Sequence, residues 1–165
     1  MNPNLGISDK DRAGVVKLLN ALLGDEYVLY TKTRNYHWNV VGSQFNDLHK
    51  FFAEQYEALD DFIDEVAERA RALGGHSVAT LAEFQEAARL KEHPAQYPAA
   101  EEMLDNLLAD HETLIRQLRA DADAAASKYH DMGTNDFLIG LMEKHEKMAW
   151  MLRAFQEGKA PTRSR

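Results

Sequence analysis

Residues 45–75 read FNDLHKFFAEQYEALDDFIDEVAERARALGG, and this stretch decides the fold class. Its core-facing positions recur every three, four or seven residues, as they do along one face of an α-helix. That face comprises Leu48, Phe52, Gln55, Leu59, Phe62, Val66 and Leu73. Paired glycines at positions 74 and 75 end the pattern, and glycine is common just after a helix C-terminus. The stretch therefore predicts a long amphipathic helix over residues 44–73.

The same periodicity predicts three further long helices. They cover residues 8–38, 98–127 and 134–156. Between the second and third long helices, Thr80 and Glu83 have the spacing of a capping box, which predicts a short extra helix in that connection. Four long helices with one long crossover predict an all-α, ferritin-like four-helix bundle, with the short helix in the crossover between helices 2 and 3.

Length and composition narrow the class of protein further. The chain has 165 residues, 28% of them charged, a formal net charge of -8 and no cysteine. We expect a single domain over residues 1–165, with a short N-terminal tail at 1–7 and a flexible C-terminal tail at 158–165. The missing cysteines exclude disulfides, thiolate metal sites and thiol catalysis. No apolar stretch reaches the ~18 residues of a membrane span and no signal peptide is evident, so we expect a cytoplasmic protein without membrane partners.

Several familiar chemistries are excluded by their motifs. No glutamate is followed by histidine three residues later, so the Glu-x-x-His pairs of an intra-bundle di-iron centre are missing. The sequence also has no Gly-rich phosphate loop, no H-E-x-x-H and no G-x-S-x-G.

Two histidines and two carboxylates remain as candidate metal ligands. His37 and His49 lie twelve residues apart, and Asp64 and Glu68 lie four apart on the second helix. Imidazole and carboxylate suit ions such as Fe(II) or Zn(II). Successive residues of a helix are rotated by about 100°, and Leu48 is taken as zero. On this scale His49 falls near 100°, Asp64 near 160° and Glu68 near 200°, all outside the core face. Alternatively, the carboxylates belong to a solvated helix face, and His37 is a turn residue that hydrogen-bonds a backbone carbonyl.

The distance along the helix decides how these ligands can meet. His49 and Asp64 are fifteen residues apart, about 22 Å along a straight helix, so they cannot bind one ion within a single chain. They can meet if two copies of this helix pack antiparallel about a two-fold axis near residues 57–58. His37 and His49 then come from one subunit and Asp64 and Glu68 from its neighbour, with two equivalent sites per interface.

The same residues carry a family resemblance. The run LYTKTRNYHWNVVG at residues 29–42 resembles the signature of the Dps family, the DNA-binding proteins from starved cells. Further similarity lies at Phe45, Leu48-His49, residues 64–69 and 73–75, residues 145–147, Trp150 and residues 152–154. The similarity spans most of the chain, from about residue 8 to residue 157.

This resemblance implies both an activity and an assembly. It implies a hollow dodecamer that oxidises Fe(II) at two-fold interfaces, preferably with hydrogen peroxide, and stores ferric mineral inside. Such a ferroxidase protects DNA from oxidative damage. The resemblance assigns iron binding to His37, His49, Asp64 and Glu68. Zinc or another divalent ion at the same site is an alternative occupant.

One departure from the family pattern concerns the residue four positions after the second histidine. The family usually has aspartate or glutamate there, whereas this chain has Ala53. We expect weakened iron binding, or completion of the site by Asp60 or water.

Trp38, beside His37, either takes up oxidising equivalents, as the resemblance implies, or fills the dimer interface.

Two further groups of polar residues have alternative interpretations. His111, His145 and Glu26 lie on or near apolar stripes, where they form a buried polar cluster or an unconventional metal site inside the bundle. Asp131 and Asp136 flank the start of the last helix. By resemblance these carboxylates line three-fold pores, and on sequence alone they are equally well helix N-caps.

DNA binding has little support in the sequence. The acidic balance opposes it, because affinity for DNA depends on Lys and Arg contacts to phosphates. Weak binding through the C-terminal tail, with Lys159, Arg163 and Arg165, is the available route. An alternative function is therefore a nucleoid-condensing DNA-binding shell whose iron site is degenerate.

Overall fold

The computed structural model describes residues 3–157, which form five α-helices joined by turns and loops. The helices are α1 (Asp9–Asn39), α2 (Phe45–Ala72), α3 (Leu81–Ala87), α4 (Ala100–Ser127) and α5 (Met132–Ala154). The four long helices form the bundle, and α3 is the short helix in the crossover. The predicted all-α class and ferritin-like architecture are confirmed.

Local hydrogen bonds explain where the helices begin and end. The Ser8 hydroxyl accepts the Asp11 N–H at the start of α1, at 3.1 Å. Thr80 and Glu83 form a reciprocal capping box at the start of α3. After α2 the chain turns at Gly74, whose φ of +83° favours glycine. These signals lie in the local sequence, which is why the boundaries could be predicted.

The core lies between two antiparallel helix pairs, α1 with α2 and α4 with α5. Its largest fully buried side chains include Phe52, Leu19, Leu59 and Leu114. The crossover helix α3 packs closely against α1 at Gly24, where an added Cβ would lie 2.7 Å from the Ala88 nitrogen. Only glycine allows this approach of the two backbones.

A buried carboxylate attaches the crossover to the bundle. Asp25 is fully buried and accepts the backbone N–H groups of Arg89 and Leu90 at 2.5 and 2.8 Å. The Arg89 guanidinium also donates to Asp25, at 2.8 Å, and to Asp121 of α4, at 2.8 Å. This network therefore connects α1, the crossover and α4.

None of the helices within residues 3–157 combines the length and apolar character needed to cross a membrane. The C-terminal tail predicted at 158–165 lies outside the described residues.

Candidate metal centre

His37 and His49 face each other across the turn between α1 and α2. His37 Nδ1 lies 2.7 Å from the His49 carbonyl oxygen, and His49 Nδ1 lies 2.8 Å from the His37 carbonyl oxygen. The two rings stack with centroids 3.8 Å apart. Because a carbonyl only accepts, each Nδ1 must carry the hydrogen. In the neutral ring this leaves Nε2 of both histidines with a free lone pair, the form that binds metals.

The backbone hydrogen bond expected for a simple turn histidine is thus present. It does not compete with metal binding, because it uses Nδ1 and leaves Nε2 free. In metal sites such a bond commonly fixes the tautomer and the ring orientation. The two interpretations of His37 are therefore compatible.

Aromatic side chains hold the two imidazoles in place. Tyr56 packs edge-on against His37 at 5.2 Å, and Phe45 stacks on His49 at 5.1 Å. The Arg34 guanidinium lies over the rings of Tyr56 and Trp38, at 4.7 and 5.2 Å. Trp38 is 66% exposed, so most of its ring is free to meet another surface.

The carboxylates of the predicted site lie elsewhere on the same chain. Asp60, Asp64 and Glu68 are all exposed on α2, pointing away from the bundle core. No group of three or more His, Asp or Glu side chains within residues 3–157 is arranged to hold a metal ion. One chain therefore brings His37 and His49 together but does not bring a carboxylate to them.

Ala53 lies one helical turn beyond His49 and is partly buried. Its methyl group has no oxygen or nitrogen atom that could coordinate a metal ion. Asp60 of the same chain is eleven residues from His49, about 16 Å along α2, and is too distant to replace it. If Asp60 completes the site, it must come from a second copy of the chain.

Asp131 and Asp136 have different environments. Asp131 is buried and is the N-cap of α5, accepting the Thr134 N–H at 2.9 Å and pairing with Arg69 at 3.2 Å. The capping interpretation is thus correct for Asp131. Asp136 is exposed on the first turns of α5. A pore role for either residue stays a prediction.

A second polar cluster lies inside the bundle. Glu26 Oε1 is 2.9 Å from His145 Nε2, and His145 Nδ1 is 3.0 Å from His111 Nδ1. All three side chains are buried. Burial, with the nearby charge of His145, lowers the pKa of His111 well below its usual value. The predicted burial of these three residues is confirmed.

Comparison with known proteins identifies the class. The family model described as a ferritin-like domain matches residues 16–158. The crystal structure of a Dps protein from Vibrio cholerae, described as a member of a broad superfamily of ferritin-like diiron-carboxylate proteins, superimposes with a TM-score of 0.87. It has 31% identity and covers 95% of this chain and 98% of its own. The chain is thus a ferritin-like protein.

Curated relatives give the family. An uncharacterized low temperature-induced protein of Nostoc is 50% identical over 94% of this chain and 87% of its own length. DNA protection during starvation protein 2 of Bacillus anthracis is 40% identical over 86% of this chain and 95% of its own. This chain belongs to the Dps family of mini-ferritins.

Proposed function

We propose that this protein is a ferroxidase that oxidises Fe(II), preferably with hydrogen peroxide, at sites shared between two subunits. The ferric product is stored inside a hollow dodecamer. The observation that carries the proposal is the His37–His49 pair, whose reciprocal hydrogen bonds leave both Nε2 atoms available. Iron is the substrate here, and imidazole with carboxylate is a donor set suited to it.

The shared site follows from what one chain lacks. His37 and His49 supply two free Nε2 atoms, and no carboxylate within residues 3–157 joins them in a metal-binding group. Asp64 and Glu68 are exposed on α2, about 22 and 28 Å along the helix from His49. An antiparallel two-fold contact between two α2 helices supplies each histidine pair with the carboxylates of the other chain. Trp38, exposed beside His37, then lies at the same contact.

The chemistry explains how such a protein protects DNA. Two Fe(II) ions each lose one electron, and one peroxide with two protons takes up both electrons to give two water molecules. Fe(II) and peroxide are consumed together, so they do not react near DNA. This protection is chemical and does not require contact with DNA. We therefore propose an enzyme and storage protein of the cytoplasm.

Ala53 favours a second candidate function, because the site lacks one carboxylate donor. That function is a DNA-binding shell with a degenerate iron site. Its contacts would come from Lys159, Arg163 and Arg165, which lie outside the described residues. The net charge of -8 per chain opposes it, since like charges repel DNA phosphates.

The proposed function is tested by adding Fe(II) to the purified protein without oxygen and then adding a pulse of peroxide. We expect rapid ferric absorbance, and we expect the iron to elute with the protein at the mass of twelve chains. Bovine serum albumin at equal mass concentration controls for non-specific oxidation. Ferric precipitate outside the protein, at the rate of the control, would contradict the proposal.

Ala53→Asp is expected to raise the initial rate of Fe(II) oxidation about tenfold, because it adds a carboxylate one turn below His49. Ala53→Asn, which has the same size without the charge, should give a much smaller gain. Stopped-flow absorbance at equal iron loading measures both. If Ala53→Asp and the original protein react equally fast, the missing carboxylate does not limit the site.

A further inference from the structure

The strongest unassigned feature is the buried cluster of Glu26, His111 and His145. These residues come from three helices, α1, α4 and α5, and are 0%, 1% and 0% exposed. They lie inside one chain, away from the His37–His49 pair. The ring of Phe62 on α2 packs edge-on against His145 at 5.4 Å, so α2 contributes an apolar wall.

Two ring nitrogens of the cluster lie close enough to share one hydrogen or one metal ion. Two imidazole nitrogens, Nδ1 of His111 and Nδ1 of His145, lie 3.0 Å apart, and both have a lone pair when unprotonated. They can approach this closely when one neutral ring donates its N–H hydrogen to the lone pair of the other, or when a metal ion takes the place of that hydrogen. Histidine binds a metal ion through an unprotonated ring nitrogen.

Glu26 supplies a carboxylate with one oxygen that has no hydrogen-bond partner. Its Oε1 pairs with His145 Nε2, but its Oε2 is buried without any hydrogen-bond partner. A buried carboxylate oxygen without a partner is costly, and a nearby cation would offset that cost. The Glu26–His145 contact also matches the carboxylate–histidine pairing that orients metal ligands, with the carboxylate on the ring nitrogen opposite the metal.

The distances fit one metal ion. Two metal–nitrogen bonds of about 2.0–2.1 Å place their nitrogens about 2.9 Å apart at a right angle and about 3.3 Å apart at the tetrahedral angle. The two Nδ1 atoms here lie 3.0 Å apart, between these values. We propose that His111 and His145 bind one first-row divalent cation, such as Zn(II), Co(II) or Fe(II), with Glu26 orienting His145. This site is intrasubunit, and it does not use the Glu-x-x-His pairs of a ferritin-type di-iron centre.

The test uses Co(II), whose visible absorbance reports coordination. The starting protein is the full chain with His37→Ala and His49→Ala, which removes the histidine pair of the proposed ferroxidase site. We expect this metal-free protein to retain one Co(II) per chain after gel filtration. Adding His111→Leu should abolish that uptake, and adding Glu26→Gln should raise the Kd about 10–100-fold. His76→Leu, at an exposed histidine, is the matched control and should change nothing.

Helical circular dichroism verifies that each variant folds. If His111→Leu does not fold, Co(II)-soaked crystals of the unaltered protein decide the question, because anomalous scattering locates the ion. A peak bonded to both Nδ1 atoms supports the site. No peak there, or equal Co(II) retention with His111→Leu, would show that the two histidines are joined only by a hydrogen bond. Since the starting protein lacks His37 and His49, this result is independent of Fe(II) oxidation in the unaltered protein.

Discussion

Replacing His49 by alanine is expected to lower the initial rate of Fe(II) oxidation by about 100-fold or more. Loss of groups that merely orient a metal ligand costs about 10–100-fold in affinity or activity, and His49 is proposed as a ligand itself. The substitution also removes the hydrogen bond from His49 Nδ1 to the His37 carbonyl and the stacking between the rings. His37 therefore loses its orientation at the same time.

The measurement is stopped-flow absorbance after a peroxide pulse, at equal protein and iron. His76→Ala, at an exposed histidine beyond α2, is the matched control and should retain full activity. Circular dichroism and particle mass should match those of the original protein, because His49 is only partly buried at the helix start. Full activity of His49→Ala would remove the histidine pair from the proposed site.

Replacing Asp25 by alanine is expected to lower the free energy of unfolding by about 3–5 kcal/mol, the cost of breaking a buried ion pair. Three hydrogen bonds disappear, and the Arg89 guanidinium loses one of its two carboxylate partners. The N–H groups of Arg89 and Leu90 are left without their acceptor. The attachment of the crossover to α1 should therefore be weakened.

Asp25→Asn separates the contribution of the backbone hydrogen bonds from that of the ion pair with Arg89. Its amide oxygen can still accept both backbone N–H groups, but its NH2 group faces the Arg89 Nε–H, so we expect a smaller loss. Asp123→Ala, at an exposed position on α4, should change stability by less than about 0.5 kcal/mol. Urea unfolding at one fixed protein concentration is the measurement, because assembly makes stability concentration-dependent. A loss below about 1 kcal/mol for Asp25→Ala would contradict the role of this network.

Much of the fold could be predicted because its signals are local. The apolar periodicity located all four long helices within two residues of their observed ends, and the Thr80–Glu83 spacing located α3. The crossover contacts could not be predicted in this way. Asp25 reaches Arg89 and Leu90 across sixty-four and sixty-five residues, and no local pattern reports such a pairing.

Part of the site could also be predicted, because some of its signals lie in the local sequence. The twelve-residue spacing of His37 and His49 pointed to a pair, but the reciprocal ring-to-carbonyl hydrogen bonds depend on how the turn folds. The apolar stripes of their helices suggested that Glu26, His111 and His145 are buried. The sequence did not indicate which of the three contacts which. The carboxylate half of the proposed site depends on a second copy, which neither one sequence nor one chain contains.

The central claim is that each iron site takes histidines from one chain and carboxylates from another. It is tested most directly by mixing His49→Ala chains with Asp64→Ala chains. Each variant alone should be nearly inactive. In an antiparallel pair containing one chain of each kind, one site carries both defects and the other carries none. Random assortment of equal amounts should therefore restore about a quarter of the original activity.

The measurement is the Fe(II) oxidation rate of co-expressed variants, purified together through two different affinity tags and compared with each variant alone. Doubly tagged particles guarantee that both chains are present. Recovery near a quarter of the original rate is the predicted result. Activity no higher than the mean of the two single variants would show that the histidines and carboxylates do not act across a two-fold contact.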